Sequence, residues 1–265
     1  MNKKRKQTPA CFDPAPWAAR RQSISQALIG WYHSIARDLP WRHSPDPYRV
    51  WVSEIMLQQT QAERVKDYFH RFVAKFPSVF DLADADESVV LRYWEGLGYY
   101  RRARQLHATA KLIVSEHQGK FPQEADALRQ LPGVGRYTAG AIASISFDLP
   151  EPILEANSRR VLARLVHYDR SLLGNKSDEP LWDVAAALVP RNGGAGEFNQ
   201  ALMDLGSIVC TPVSPCCEKC PLANQCEAYQ LGVVVRIPNV VVRRSTKKVH
   251  EKAFVLVHKN KFLVV

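Results

Sequence analysis

The sequence predicts an all-α protein that closes on a short β hairpin. Three observations carry that expectation. Apolar residues recur at helical spacing from Pro16 to about Leu231, a two-glycine turn sits between two of those stretches, and the helical part ends in a cysteine group after which the composition turns β-rich. Gln22 to Ile35 carries Ile24, Leu28, Trp31 and Ile35 at helical spacing. Pro40 to Pro47 breaks the chain. Helices are then expected near 48–60, 61–75, 87–94, 98–117, 124–130, 136–147, 156–167, 179–188 and 196–208, joined by short segments rich in Gly, Pro, Asp and Asn. Val233 to Arg244 is β-rich, and Ala253 to Val265 reads as a hairpin around Lys259-Asn260. One hairpin is marginal alone, so this one is expected to open a further domain.

The chain has 265 residues, 46% of them hydrophobic, which is enough for a substantial core. Lys and Arg number 36 against 26 acidic residues, a formal charge of +10. That balance fits an anionic partner, nucleic acid ahead of membrane, and equally a generally basic soluble protein. No segment approaches the roughly 20 apolar residues of a membrane helix, and the basic start lacks the apolar stretch of a secretory signal. A cytoplasmic, nucleoid-associated monomer with reduced thiols is expected. Residues 1–16 read as a flexible basic tail.

Five of the six cysteines fall between Cys210 and Cys226. Cys210, Cys217, Cys220 and Cys226 give C-x6-C-x2-C-x5-C. Thiolates so closely spaced in a reducing compartment suit zinc or a [4Fe–4S] cluster. Zinc sites commonly pair two C-x2-C knuckles across a longer loop; only one is present here, which favours the cluster. Cys216 is a spare. The other singular segment is Leu131-Pro132-Gly133-Val134-Gly135-Arg136-Tyr137-Thr138-Ala139-Gly140, a turn between two helices. Gly133 and Gly135 allow positive φ, and their N–H groups beside a helix N-terminus make an anion site that positions a phosphate without reading a base.

The hairpin and the cysteine loop together resemble the helix-hairpin-helix DNA glycosylase superfamily. Within it, Trp51-Val-Ser-Glu-Ile-Met-Leu-Gln-Gln-Thr-Gln61, Gly96-Leu-Gly-Tyr-Tyr-Arg-Arg-Ala-Arg104 and Phe198-Asn-Gln-Ala-Leu-Met-Asp-Leu-Gly206 resemble the A/G-specific adenine DNA glycosylases (MutY type), over roughly residues 20–230. The resemblance implies a two-lobed domain over 17–231: a six-helix lobe of about 45–150 around the hairpin, and a cluster lobe built from the N-terminal helix and about 151–231. It implies a linker over 232–250, and at 251–265 the start of a truncated Nudix-like domain. It also implies excision of adenine opposite 8-oxoguanine or guanine in double-stranded DNA. With the Nudix-like body missing, the preference between those two mispairs is expected to be smaller than in a longer relative. Bifunctional relatives carry a Lys after the Arg of the hairpin; Tyr137 stands there, so strand cleavage is expected to be weak or absent.

The chemistry needs a proton for the leaving purine and stabilisation of the sugar cation. Glu54, in an apolar run, is the expected acid, its pKa raised by burial. The family pattern P-I-L-D-G-N reads Pro152-Ile153-Leu154-Glu155-Ala156-Asn157 here. Glu155 in place of Asp leaves three readings: a site shifted to suit it, a slow enzyme, or an inactive mismatch-binding relative. The resemblance makes Tyr137 and Asn157 supports of the reacting groups. It makes Trp41, Arg42, Leu57 and Gln200 walls of the adenine pocket, with Trp41 and Leu57 also readable as plain core. Gln59 and Tyr99 become wedges in the base stack, and Gly133, Val134, Gly135 and Arg136 contacts to the DNA backbone. Arg101, Arg102 and Arg104 read as phosphate contacts or a solvated face. A glycosylase for another lesion, such as thymine in T:G, is the rival enzyme reading.

Overall fold

The computed structural model describes residues 13–170, 178–239, 257–258 and 261–262. Most of residues 1–16, 240–256 and the remainder of the expected Nudix-like segment lie outside them. The helices are α1 (Ala15–Ala19), α2 (Arg21–Ile35), α3 (Pro47–Leu57), α4 (Ala62–Lys75), α5 (Val79–Asp84), α6 (Glu87–Trp94), α7 (Arg101–His117), α8 (Ala125–Leu128), α9 (Arg136–Phe147), α10 (Ala156–Leu165), α11 (Glu179–Leu188), α12 (Ala195–Asp204) and α13 (Glu227–Gln230). Val257–His258 pairs antiparallel with Lys261–Phe262, in the register Val257 to Phe262 and His258 to Lys261.

Local chemistry sets most of the ends. Asp46 caps α3 by accepting from the Arg49 N–H at 2.8 Å, and Pro47 occupies the first turn, where a missing N–H costs nothing. Gln118 and Asp148 close α7 and α9 in left-handed conformations. α5 was not expected; its signal is the capping box of Ser78 with Asp81, an S-x-x-D spacing followed by a short apolar run. α1 begins inside the expected tail, because Trp17 is buried. On α2 the buried stripe is Ile24, Leu28 and Tyr32, while Ile35 lies exposed. Ile24 and Leu28 are buried as expected and Trp31 partly so, while packing against α12 turns the stripe toward Tyr32 and away from Ile35. Val234–Arg236 forms a 3-10 turn where β structure was expected, since Val234 and Ile237 are drawn into a core.

Two cores result. One gathers Trp41, Val50, Trp51, Phe69, Phe72, Trp94, Leu106 and Ile142 from α3 through α9. The other gathers Trp17, Leu28, Leu162, Trp182, Phe198 and Ile237 from α1, α2 and the chain after Leu154. α12 joins them by packing on both α2 and α9. α3 is buried on all sides from Val50 through Met56, so a polar group in that stretch must find a partner inside the protein. α9 approaches the 152–154 segment closely at Gly140, where an added Cβ would lie 2.3 Å from the Pro152 carbonyl oxygen. Gly140→Ala is therefore expected to lower the urea midpoint by an amount equivalent to roughly 1–3 kcal/mol. Gly30→Ala, in an exposed helical position with no atom within 4 Å of the new methyl, should raise stability by about 0.5–1 kcal/mol in the same titration.

Candidate active site and DNA-facing loops

A pocket with about 470 Å³ of empty space opens between the two cores. Glu54, Ser53, Leu57 and Val50 reach it from α3, Tyr137 and Ile145 from α9, and Gln200 and Met203 from α12. Arg37, Leu39, Trp41 and Arg42 come from the segment after α2, and Ala62 from α4. Trp41, Arg42, Leu57 and Gln200 thus share one cavity with Glu54 and Tyr137. Trp41 is also a core residue, 6% exposed and edge-on to Phe69; its core reading and its wall reading are compatible.

Glu54 is 4% exposed, and its Oε2 accepts a 2.7 Å hydrogen bond from the Tyr137 hydroxyl. Burial pushes its pKa up to about 7; the Tyr137 hydrogen bond and the Arg42 charge pull the other way, while the Glu155 charge adds to the rise. Tyr137, buried against that carboxyl, is held well above its ordinary value, first by burial. The pair is therefore a hydroxyl that keeps its proton and a carboxyl poised near neutrality, with its second oxygen free to give a proton into the cavity.

Glu155 is the N-cap of α10. Its two carboxylate oxygens accept from the Asn157 and Ser158 N–H groups, both at 2.7 Å, and Ser158 Oγ returns the contact to the Glu155 N–H at 2.8 Å. Both carboxylate oxygens are thus turned onto the helix end. Asn157 is fixed in turn: its Oδ1 accepts from Arg160 at 2.9 Å, and Arg160 also donates to the carbonyls of Gly206 and Cys210.

The cavity depends on residues that were not singled out from the sequence. Asp204 is fully buried and accepts from Arg42 at 2.7 and 3.1 Å and from Arg37 at 2.7 Å. Two cations around one carboxylate make the burial tolerable and lock Arg42 in place, stacked 5.6 Å from the Tyr32 ring. Tyr32 donates to Gln200 Oε1 at 3.3 Å. The available signal was spacing: Gln200 and Asp204 stand four apart on α12 and so share a face.

On the outer surface, Gln59 and Tyr99 are both exposed and both in the left-handed region, at φ 59° and 50°. In the hairpin only Gly133 needs positive φ (77°); Gly135 is extended at φ −85° and ψ 176°, which corrects the expectation for it. Gly135 is the N-cap of α9 with no side chain capping it, and the space beside it is open. Val134 is buried and anchors the turn. The Arg136 guanidinium lies 4.0 Å over the Trp182 ring and 3.0 Å from Glu179, tying the hairpin to α11. Of the three arginines after Tyr100, Arg102 is buried, while Arg101 and Arg104 keep the expected solvent-facing character, Arg104 in a surface pair with Glu87.

Cys210, Cys217, Cys220 and Cys226 line one cavity of about 290 Å³, with Cys216 exposed outside it. Burial pushes the thiols of Cys217, Cys220 and Cys226 up, Cys220 to about 12. Among the described residues no His, Cys, Asp or Glu group converges on a single ion-sized position; the thiols ring a cavity instead. Arg164, 2% exposed, donates to Cys210 Sγ at 3.3 Å, to Thr211 O at 2.7 Å and to Ile237 O at 2.8 Å. No helix among the described residues is long and apolar enough to cross a membrane.

Known proteins similar to this chain are DNA repair glycosylases. Residues 52–186 match the family described as HhH-GPD superfamily base excision DNA repair protein. An adenine DNA glycosylase of Buchnera aphidicola (from Schizaphis graminum) is 39% identical over 91% of this chain and 70% of its own length. That of Mus musculus is 45% identical over 77% of this chain, which spans 41% of the mouse protein. A solved thermostable thymine-DNA glycosylase superposes with a TM-score of 0.71 at 31% identity, over 83% of this chain and all of that one.

Because folding raises the pKa of Glu54, its contribution to stability is complete below the ordinary value of 4.5 and is lost as pH rises through about 7. Glu54→Gln, which never ionises, should therefore gain on the parent chain by up to about 3 kcal/mol over that window. Urea titrations at several pH values measure this; a constant difference between the two proteins would contradict the buried carboxyl.

Proposed function

The chain belongs to the HhH-GPD superfamily of base excision DNA repair proteins and, within it, to the adenine DNA glycosylases; on that premise we propose that it hydrolyses the N-glycosidic bond of adenine opposite 8-oxoguanine or guanine in duplex DNA, without cutting the strand. The observation that carries this reading is the Glu54–Tyr137 pair lining the pocket between the two cores. Enzymes that act on a base must first turn it out of the helix. The cavity offers the turned-out purine apolar walls in Trp41 and Leu57 and polar contacts in Arg42 and Gln200. Glu54 gives its proton to adenine N7. The bond from C1′ to N9 then breaks with its electron pair going to the base, and the sugar cation faces the Glu155 carboxylate. Water adds at C1′, its proton leaving to a carboxylate, and the abasic sugar remains in an unbroken strand. Tyr137 has no amine to form a Schiff base, so nothing drives strand scission.

The thymine-DNA glycosylase likeness supports a second reading, excision of thymine from T:G. The higher identity to adenine glycosylases and a carboxylic acid beside a purine-accepting pocket favour adenine. For the DNA backbone, the open N-terminus of α9 at Gly135 is the phosphate site, and Gln59 and Tyr99 enter the stack. Cys210, Cys217, Cys220 and Cys226 hold a [4Fe–4S] cluster, which the ring of thiols around a cavity fits better than one tetrahedral ion. Bound there, it would tie the 210–226 loop together through these four thiolates. The N–H groups of Arg164 meet the sulfur of Cys210.

Duplexes carrying A:8-oxoguanine, A:G or T:G, treated with the protein and then with alkali, decide among these readings. Alkali-dependent cleavage at adenine is expected; cleavage at thymine alone or binding without excision would overturn the assignment. The excision rate should fall as pH rises through about 7, as Glu54 loses its proton. Glu54→Gln should lose on the order of 10²–10⁴-fold. Glu155→Gln should abolish excision while leaving duplex affinity close to that of the parent. It should cost about 1 kcal/mol of stability through the weakened cap.

A further inference from the structure

We propose that Arg102 is a positioning residue that fixes Gln59 and Tyr99 as one rigid pair, so that presentation of adenine to the cavity passes through its guanidinium. The inference rests on the reading that these two side chains enter the duplex. Arg102 lies in the first turn of α7 and is 8% exposed. One arm of its fork, Nη1, donates to the carbonyls of Ile55 (2.8 Å), Met56 (3.0 Å) and Gln58 (2.5 Å). The other arm, Nη2, donates to the carbonyls of Leu97 and Gly98 (both 3.3 Å) and reaches Thr60 Oγ1 at 3.5 Å. The guanidinium Cζ lies 5.4 Å from the ring centroids of both Trp94 and Tyr99.

The distribution of those acceptors is what matters. The Gln58 carbonyl belongs to the peptide unit that leads into Gln59, and the Gly98 carbonyl to the unit that leads into Tyr99. Both following residues are in the left-handed region, which costs a residue with a Cβ on the order of 1 kcal/mol and persists only where its surroundings impose it. One planar group pins both peptide units at once, and its first arm also closes the C-terminal turn of α3, the helix that carries Glu54. Among the described residues no carboxylate pairs with Arg102, so its bonding capacity goes almost wholly to these loops. Its Nε has no partner, and the side chain borders a small cavity of about 210 Å³ shared with Pro132 and Gly133 of the hairpin. A lysine ammonium, a point donor on a flexible stem, cannot span two loops in this way.

The test is a double-mutant cycle read by single-turnover excision on A:8-oxoguanine and A:G duplexes at saturating enzyme. Its members are the parent, Arg102→Lys, the paired variant Gln59→Ala with Tyr99→Ala, and the triple variant. Arg102→Lys is expected to stay folded by thermal melting and to excise at least about 10-fold more slowly, with the pH midpoint of excision unmoved because Glu54 is untouched. The same substitution placed on the paired variant is expected to change the rate little. If Arg102→Lys melts at the assay temperature, the cycle is run colder with Arg102→Met, whose stem still covers Trp94. A parental rate for the Arg102 variant, a displaced pH midpoint, or a loss that adds in full to that of the paired variant would overturn the proposal. A parental rate for the paired variant would instead sink the wedge reading on which it rests.

Discussion

The hydrogen bond between the Tyr137 hydroxyl and Glu54 sets the terms for most of the molecule. A carboxyl on a helix buried on every side is tolerable only if it is neutral or well partnered. Tyr137 supplies the partner from a second helix, and the absence of bulk water supplies the neutrality. The partner comes from within the first core, where α3 packs on α9, and the exclusion of water needs the second half closed against it. α12, which packs on α2 and α9 together, brings Gln200 and Asp204 to the same closure. The acid is thus not a residue placed on a finished scaffold; the junction of the two halves is what makes it an acid.

Charge around the pocket is arranged to keep that balance. Arg42 draws the Glu54 pKa down, yet it is itself paired with the buried Asp204, which also accepts from Arg37. Glu155 pushes the other way while bonded to the N-terminus of α10.

Much of this was legible in the sequence because it depends on short-range pattern. The apolar run around Glu54 announced burial, the hairpin announced itself by its glycines, and the four cysteines by their spacing. What was not legible depends on tertiary partners. Asp204 reads as an ordinary helix acid until two arginines from a distant loop are seen to converge on it. Arg102 reads as one of three like cations in a row, and only the fold separates the buried one from its neighbours. The β-rich appearance of Val233 to Ile237 was overruled because its valine and isoleucine find a better burial site as a turn against the second core than as a strand.

Arg164 ties two parts of the chain that are far apart in function. Its guanidinium grips the cysteine loop at Cys210 and Thr211 and, with its Nε, the carbonyl of Ile237 where the chain leaves the second core. Tension applied to the segment beyond Ile237 is therefore transmitted to a thiol within a single side chain. Loosening the loop would in turn release the turn at Val234–Arg236, so the sulfur site doubles as its mooring.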